Sequence, residues 1–150
     1  MKETYQRGES IAQIAQCLAD AVGRNLTCHT LLGTLDADEE KRIFVAPCKC
    51  YIKAVYLISE SSDAKDDSHH FDLNIVNVTD AEDLIATDVA WDAAGTALTA
   101  DTPYALIPDQ NNQLDALDVL ELEIRETGTV SLTECSVIVV YSFDEDDEEA

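Results

Sequence analysis

The sequence predicts an all-β fold: a jelly-roll-like antiparallel β-sandwich with one short N-terminal amphipathic helix. Two observations predict it. From Thr27 onward, short apolar runs rich in Val, Ile, Tyr and Thr are separated by clusters of Asp, Asn, Gly and Pro, which is the spacing of a sandwich or barrel. In addition, 150 residues with 46% apolar side chains fit one compact domain, which at this length buries about 68 to 70% of its unfolded surface.

The helix is predicted over residues 10–22, the first segment with a clear period. Ser10 can cap its first turn and Gly23 can end it. We therefore expect residues 1–26 to form an N-terminal helical arm. The apolar residues that recur at steps of three and four, as on one face of a helix, are Ile11, Ile14, Leu18 and Val22.

The candidate strands lie in the expected sandwich domain, residues 27–143. In one of them Leu120, Leu122 and Ile124 alternate with charged residues, which predicts a strand with one buried face. The remaining segments are placed by their Val, Ile, Tyr and Thr content and by the turn formers between them. The candidate strands are residues 27–35, 42–46, 50–59, 71–78, 83–90, 96–100, 104–107, 119–126 and 136–143.

Charge and turn formers mark the connections between these strands. Segments 36–41 and 108–118 are predicted as turns. The block of like charges at 144–150 cannot bury apolar surface, so we expect a disordered acidic tail. The run Val137–Tyr141 is apolar on both faces, and such a strand needs cover on both. We favour a partner chain or the N-terminal helix as the second cover.

The charge balance excludes several partners. With 31 Asp and Glu against 9 Lys and Arg, the net charge is −22, whereas nucleic acids and anionic membranes are held by clustered basic residues. The sequence contains no apolar run long enough to span a bilayer, and its first residues lack the apolar stretch of a signal peptide. Five scattered cysteines do not form an even disulfide framework. We expect a soluble, non-exported protein with reduced thiols.

No motif predicts a catalytic, cofactor-binding or metal site. His69 and His70 are adjacent and His29 is distant, so no pair has metal-ligand spacing. Cys48 and Cys50 share one face of an extended strand, and we interpret them as small buried core residues.

The acidic residues give no stronger signal. With 31 acidic residues, carboxylate pairs arise by chance and do not indicate acid-base catalysis. The loop with Asp63, Asp66 and Asp67 lacks the glycine and terminal glutamate of a calcium hand. A non-enzymatic binding or structural role remains.

Residues 42–143 resemble the small jelly-roll proteins that decorate the heads of tailed bacteriophages. Where the family usually has Gly-Asp after its Asn-rich turn, this sequence has Leu117-Asp118. The matching features are a Pro-led strand, a Leu-Thr-Ala-Asp-Thr step, the Asn-rich turn, a strand before the last one and a Val-rich last strand: Pro47 with Ile52, Val55 and Ile58; Leu98–Thr102; Asn111 and Asn112; Asp118–Leu122; Val137–Tyr141.

The resemblance implies a non-enzymatic homo-oligomer, commonly a trimer, made in the host cytoplasm and bound to the major capsid protein on the outer capsid surface of the virion. It implies neither a cofactor nor a nucleic-acid or membrane partner. Within this hypothesis, the apolar face of residues 10–22 contacts the capsid or a sister subunit: Ile11, Ile14, Leu18 and Val22.

Other interpretations stay open at this point. Residues 10–22 could instead cover an open face of the chain's own sandwich. An acidic protein could also mimic a nucleic acid and bind a basic partner. A cupin-like enzyme would share the sandwich, but it needs a His-rich metal cluster facing the interior, which the sequence does not indicate.

Overall fold

The structure is a computed structural model that describes residues 24–63, 66–91 and 97–143. Within those residues every regular element is a β-strand. The strands are β1 (Leu26–Leu35), β2 (Glu39–Val45), β3 (Cys50–Ile58), β4 (His70–Asn77), β5 (Glu82–Asp83), β6 (Val89–Ala90), β7 (Tyr104–Leu106), β8 (Gln113–Leu114), β9 (Val119–Thr127) and β10 (Leu132–Ser142). The predicted helix over 10–22 and the predicted tail at 144–150 lie outside the described residues.

The strands form two antiparallel sheets that pack as a sandwich. Sheet A has the order β1-β10-β3-β7, with β8 also paired to β3, and sheet B has the order β2-β9-β4-β5, with β6 also paired to β4. The first strand thus pairs with the last and the second with the second-last, while β1 to β4 alternate between the two sheets. This nested order is that of a jelly roll. The predicted all-β sandwich is confirmed.

The core lies between the sheets and follows the two-residue period of their strands. Leu120, Leu122 and Ile124 of β9 are fully buried, as their alternation with charged residues predicts. Val137 and Val139 of β10 are buried opposite them in sheet A. Trp91 is also fully buried, packed edge-on against neighbouring aromatic rings that include Tyr104, with ring centroids 5.1 Å apart.

The prediction of one strand over 83–90 is wrong, because that stretch bends into the core. Leu84 and Ile85 are adjacent and both buried, which a straight strand with one buried face does not allow. The bend is held by polar partners: the Asn74 side chain donates to the Ile85 carbonyl at 3.0 Å, and the Ala86 N–H donates to the Asp109 carboxylate at 2.8 Å. Only the short strands β5 and β6 remain.

Other strand boundaries also differ from the prediction. β2 begins at Glu39, inside the predicted turn 36–41, and β8 lies inside the predicted turn 108–118. β10 begins at Leu132, ahead of the predicted position 136, and it passes through Glu134 at a φ of 44°. In each case, pairing to a long neighbouring strand extends a segment whose local composition favours a turn.

The turn before β9 has a backbone conformation that favours glycine. Leu117 has a φ of 73°, in the left-handed region that favours glycine, and its side chain is exposed. Asp118, which follows, is buried and accepts hydrogen bonds from the Asn77 side chain at 3.1 Å and the Asp115 N–H at 2.9 Å. The Asp118 carboxylate therefore fixes the connection between β8 and β9 and ties it to β4.

Candidate association surface

The contact residues predicted on the N-terminal arm are not placed by the structure. Ile11, Ile14, Leu18 and Val22 all lie outside the described residues. The three histidines and the cysteines Cys48 and Cys50 do lie within the described residues, so their surroundings show what chemistry they allow.

The three histidines lie at two places in the structure, His29 on one strand and the adjacent His69 and His70 at the start of another. His29 is exposed on β1, whereas His69 is exposed in the loop before β4 and its Nδ1 accepts a hydrogen bond from the Thr129 N–H at 2.9 Å. His70 begins β4, with its Nε2 3.6 Å from an Asp72 carboxylate oxygen. Gly128 makes the loop contact possible, because a Cβ there would lie 2.1 Å from the Ser68 carbonyl oxygen.

The prediction that Cys48 and Cys50 are both core residues is half right. Cys50 is fully buried, and burial raises the pKa of its thiol to about 11. Cys48 is exposed, because β3 begins only at Cys50 and the preceding residues form a bend. Among the described residues, no group of three or more His, Cys, Asp or Glu side chains is arranged to hold a metal ion.

The surface that stands out is the outer face of sheet A. The strand registers place Ile138 beside Tyr56, Val140 beside Ala54 and Ser136 beside Ile58. β1 and β7 extend this face on either side. We call it the acid-free face and define it as Thr27, His29, Leu31, Ala54, Tyr56, Ile58, Ala105, Ser136, Ile138 and Val140.

None of these ten residues carries a carboxylate, although the chain has 31 acidic residues. The exposed Glu134 of β10 lies beyond Ser136, at the end of the face beside the Gly33 bulge. Its central residues Tyr56, Ile138 and Val140 are half-buried by their neighbours on the sheet. Leu31, at its edge, is 88% exposed. Lys53 stands in the β3 bulge at one end, with its Nζ 5.7 Å from the centroid of the Tyr51 ring. An apolar patch without acidic residues on so acidic a protein indicates a contact surface.

The outer face of sheet B has the opposite character. We call it the charged face and define it as Glu40, Arg42, Asp72, Glu121, Glu123 and Arg125. Arg125 lies 2.9 Å from a Glu40 carboxylate oxygen and 2.6 Å from one of Glu123, and these contacts raise the pKa of its guanidinium. The Arg42 Nε lies 3.3 Å from Glu121. The two guanidinium groups thus pair with three of the four carboxylates of this face.

Sequence reasoning found only part of the acid-free face. It identified Val137–Tyr141 as apolar on both faces and in need of cover, and β10 does supply the centre of the face. The contributions of β1 and β3 were missed. The signal was present, since β1 has 10 residues and none of them is charged.

A jelly-roll sandwich with an acid-free outer face is thus what the described residues define. No helix among them is long and apolar enough to cross a membrane.

No protein-family model and no curated protein sequence matches the chain. Among solved structures, it is similar to the VP2 subviral particle of infectious bursal disease virus, with a TM-score of 0.46 and 14% identity over 81% of this chain and 34% of that chain. It is also similar to T=1 particles derived from that virus, with a TM-score of 0.41 and 12% identity over 81% of this chain and 33% of that chain. The chain therefore spans about a third of the length of these structures.

Proposed function

We propose that this protein is a non-enzymatic structural protein that binds the outer surface of a viral capsid as an oligomer and stabilises it. The observation that carries the proposal is a jelly-roll sandwich whose acid-free face offers an oligomer an apolar surface on a chain of net charge −22. The interior offers no competing site in the described part of the chain, because alternate residues of both sheets fill it with aliphatic and aromatic side chains.

The charge elsewhere suits a protein that works beside packaged nucleic acid without binding it. Carboxylates repel phosphates, and a high net charge keeps the free protein dispersed before it docks. The contact with the major capsid protein is assigned to the N-terminal arm, through the residues that helical spacing places on one face: Ile11, Ile14, Leu18 and Val22.

The stabilising mechanism follows from linkage. A protein that binds only the assembled shell lowers the free energy of that state, by about 2.7 kcal/mol per site when its concentration is 100 times its dissociation constant. An oligomer engages several capsid subunits at once, so that weak contacts repeated by symmetry give strong overall binding.

The test adds the purified full-length protein to virus heads that lack it. The proposal predicts saturable co-sedimentation with the heads and a higher temperature of head disruption. Leu18→Glu should weaken this binding at least tenfold, because it places a carboxylate on the predicted contact face. Wild-type protein that neither sediments with heads nor changes their disruption temperature would contradict the proposal.

A nucleic-acid mimic that binds a basic partner is supported less well. Such a mimic needs an uninterrupted row of carboxylates, whereas Arg125 and Arg42 lie among the carboxylates of the charged face and pair with three of them. Retention of the protein on an immobilised basic DNA-binding protein at 0.15 M salt, a concentration at which exposed charges are screened beyond about 8 Å, would favour the mimic.

A further inference from the structure

We infer that the occupant of the acid-free face is a second copy of this chain. The inference rests on the proposed oligomer and names the surface that builds it. Each copy of the chain carries a net charge of −22, so two copies repel each other. Two like unit charges about 4 Å apart repel each other strongly at the effective dielectric constant of a protein surface. A few opposed carboxylates would therefore cancel the gain from burying apolar side chains.

The lack of charge also argues against a basic partner on this face. A basic protein would bind best where carboxylates are dense, and the acid-free face has none. A partner that carries the same negative charge as this chain has the opposite requirement, because it can approach closely only where acids are missing. A second copy of the chain is such a partner, because it has the same net charge and the same acid-free face.

The edge strand of sheet A adds an independent observation. β1 is 10 residues long, has no charged side chain and lies at the edge of its sheet. Charged side chains normally protect such edges from pairing with another chain. The edge strands of sheet B carry this protection, for example Glu39–Arg42 in β2 and Glu82–Asp83 in β5.

Among the described residues, no strand pairs with the outer edge of β1. Its register to β10 is unbroken from Leu26 to Leu31, and bulges begin only around Gly33. Within the described residues, the backbone of β1 makes no hydrogen bond outside sheet A. Side-chain contact on the face and backbone contact at the edge can therefore be made together, with Leu31 at their junction.

The extent of the acid-free face fits closed symmetry. In a ring, one part of a subunit's surface meets a different part of its neighbour's surface, whereas in a two-fold dimer a patch meets itself. In both cases like charges are avoided only if the whole patch is uncharged. The ten residues of the acid-free face meet this condition across β1, β10, β3 and β7, and Glu134 of β10 marks the end of the patch. Tyr56 and Ile138, side by side at its centre, are the kind of bulky residues that anchor interfaces.

The experiment measures the mass of the full chain by sedimentation over a range of concentrations. It compares wild type with Leu31→Glu and with the matched control Val45→Glu, which also places an acid at an exposed apolar position of an edge strand, but in sheet B. Leu31 and Val45 are 88% and 53% exposed, so both variants should fold, which circular dichroism checks. We expect an oligomeric wild type, at least tenfold weaker association for Leu31→Glu, and no change for Val45→Glu.

Several outcomes would overturn the inference. These are a wild type that is monomeric at all concentrations, a Leu31→Glu variant that associates like wild type, or dissociation by Leu18→Glu but not by Leu31→Glu, which would place the contact on the N-terminal segment. Head binding measured on the same samples separates the two ideas. If the wild type binds heads and the Leu31→Glu variant is still oligomeric, only the inference about the acid-free face is wrong. If Leu31→Glu dissociates the oligomer but the wild type does not bind heads, only the capsid role is wrong.

Discussion

The outer faces of the two sheets differ in the charge of their side chains. Both belong to strands whose inner residues fill one shared core. On the charged face, Arg125 bridges Glu40 and Glu123 and Arg42 pairs with Glu121, so three of the four carboxylates of this face are paired within the chain. On the acid-free face, Ile138 and Tyr56 meet solvent with no polar partner of that kind. The charged face pairs most of its charges within the chain, whereas the acid-free face leaves apolar side chains exposed that another surface could bury.

The difference separates the inner residues, which determine the fold, from the outer residues, which are available for function. The inner residues of a jelly roll are set by the need for a core, and they are similar in both sheets. The outer residues are free to vary, because they do not decide the fold. The separation of acidic from uncharged positions on them is therefore the feature that points to association.

The largest expected effect tests whether the two faces share one core. Leu57 lies beneath the acid-free face and Leu122 beneath the charged face, and both are fully buried. Replacing either by alanine leaves a cavity, so each variant should lose about 2 to 5 kcal/mol of unfolding free energy. Urea unfolding at one protein concentration measures both. A large loss for Leu122→Ala beside a loss within about 0.5 kcal/mol for Leu57→Ala would show that sheet A is not packed as described.

A smaller effect tests whether the charged face serves the fold. Arg125→Ala removes the cation between Glu40 and Glu123, which are partners across β2 and β9. Since Arg125 is partly exposed, the loss should be about 0.2 to 1 kcal/mol.

The loss from Arg125→Ala should shrink in 1 M NaCl, where screening acts over about 3 Å. Urea unfolding at low and high salt measures this change. The mass in solution should not change, because the charged face is not the contact surface. Dissociation of the oligomer by this substitution would reverse the roles of the two faces.

Much of the fold could be predicted because its long strands carry a clear two-residue period. β9 shows this best, with Leu120, Leu122 and Ile124 buried between charged neighbours. The failures lie where tertiary contacts override local pattern. Leu84 and Ile85 are buried at a bend that is stabilised by hydrogen bonds from residues distant in sequence. The local hydrophobic pattern does not reveal such contacts.

The association surface could be predicted only in part, because it is a property of neighbouring strands. The apolar run of β10 signals a covered strand by itself. Whether its outer side chains lie among carboxylates depends on which strands flank it, and the pairing of β10 with both β1 and β3 is fixed by topology. Once that order is known, the uncharged β1 and the outward Ala54, Tyr56 and Ile58 complete the face.

The most direct test of the central claim is the salt dependence of self-association of the unmodified chain. Its dissociation constant is measured by sedimentation at low salt and in 1 M NaCl. If the copies meet through the acid-free face, salt screens their mutual repulsion and strengthens apolar contact, so association should tighten at least threefold. If the copies meet through ion pairs of the charged face, salt should weaken association, and that result would contradict the account.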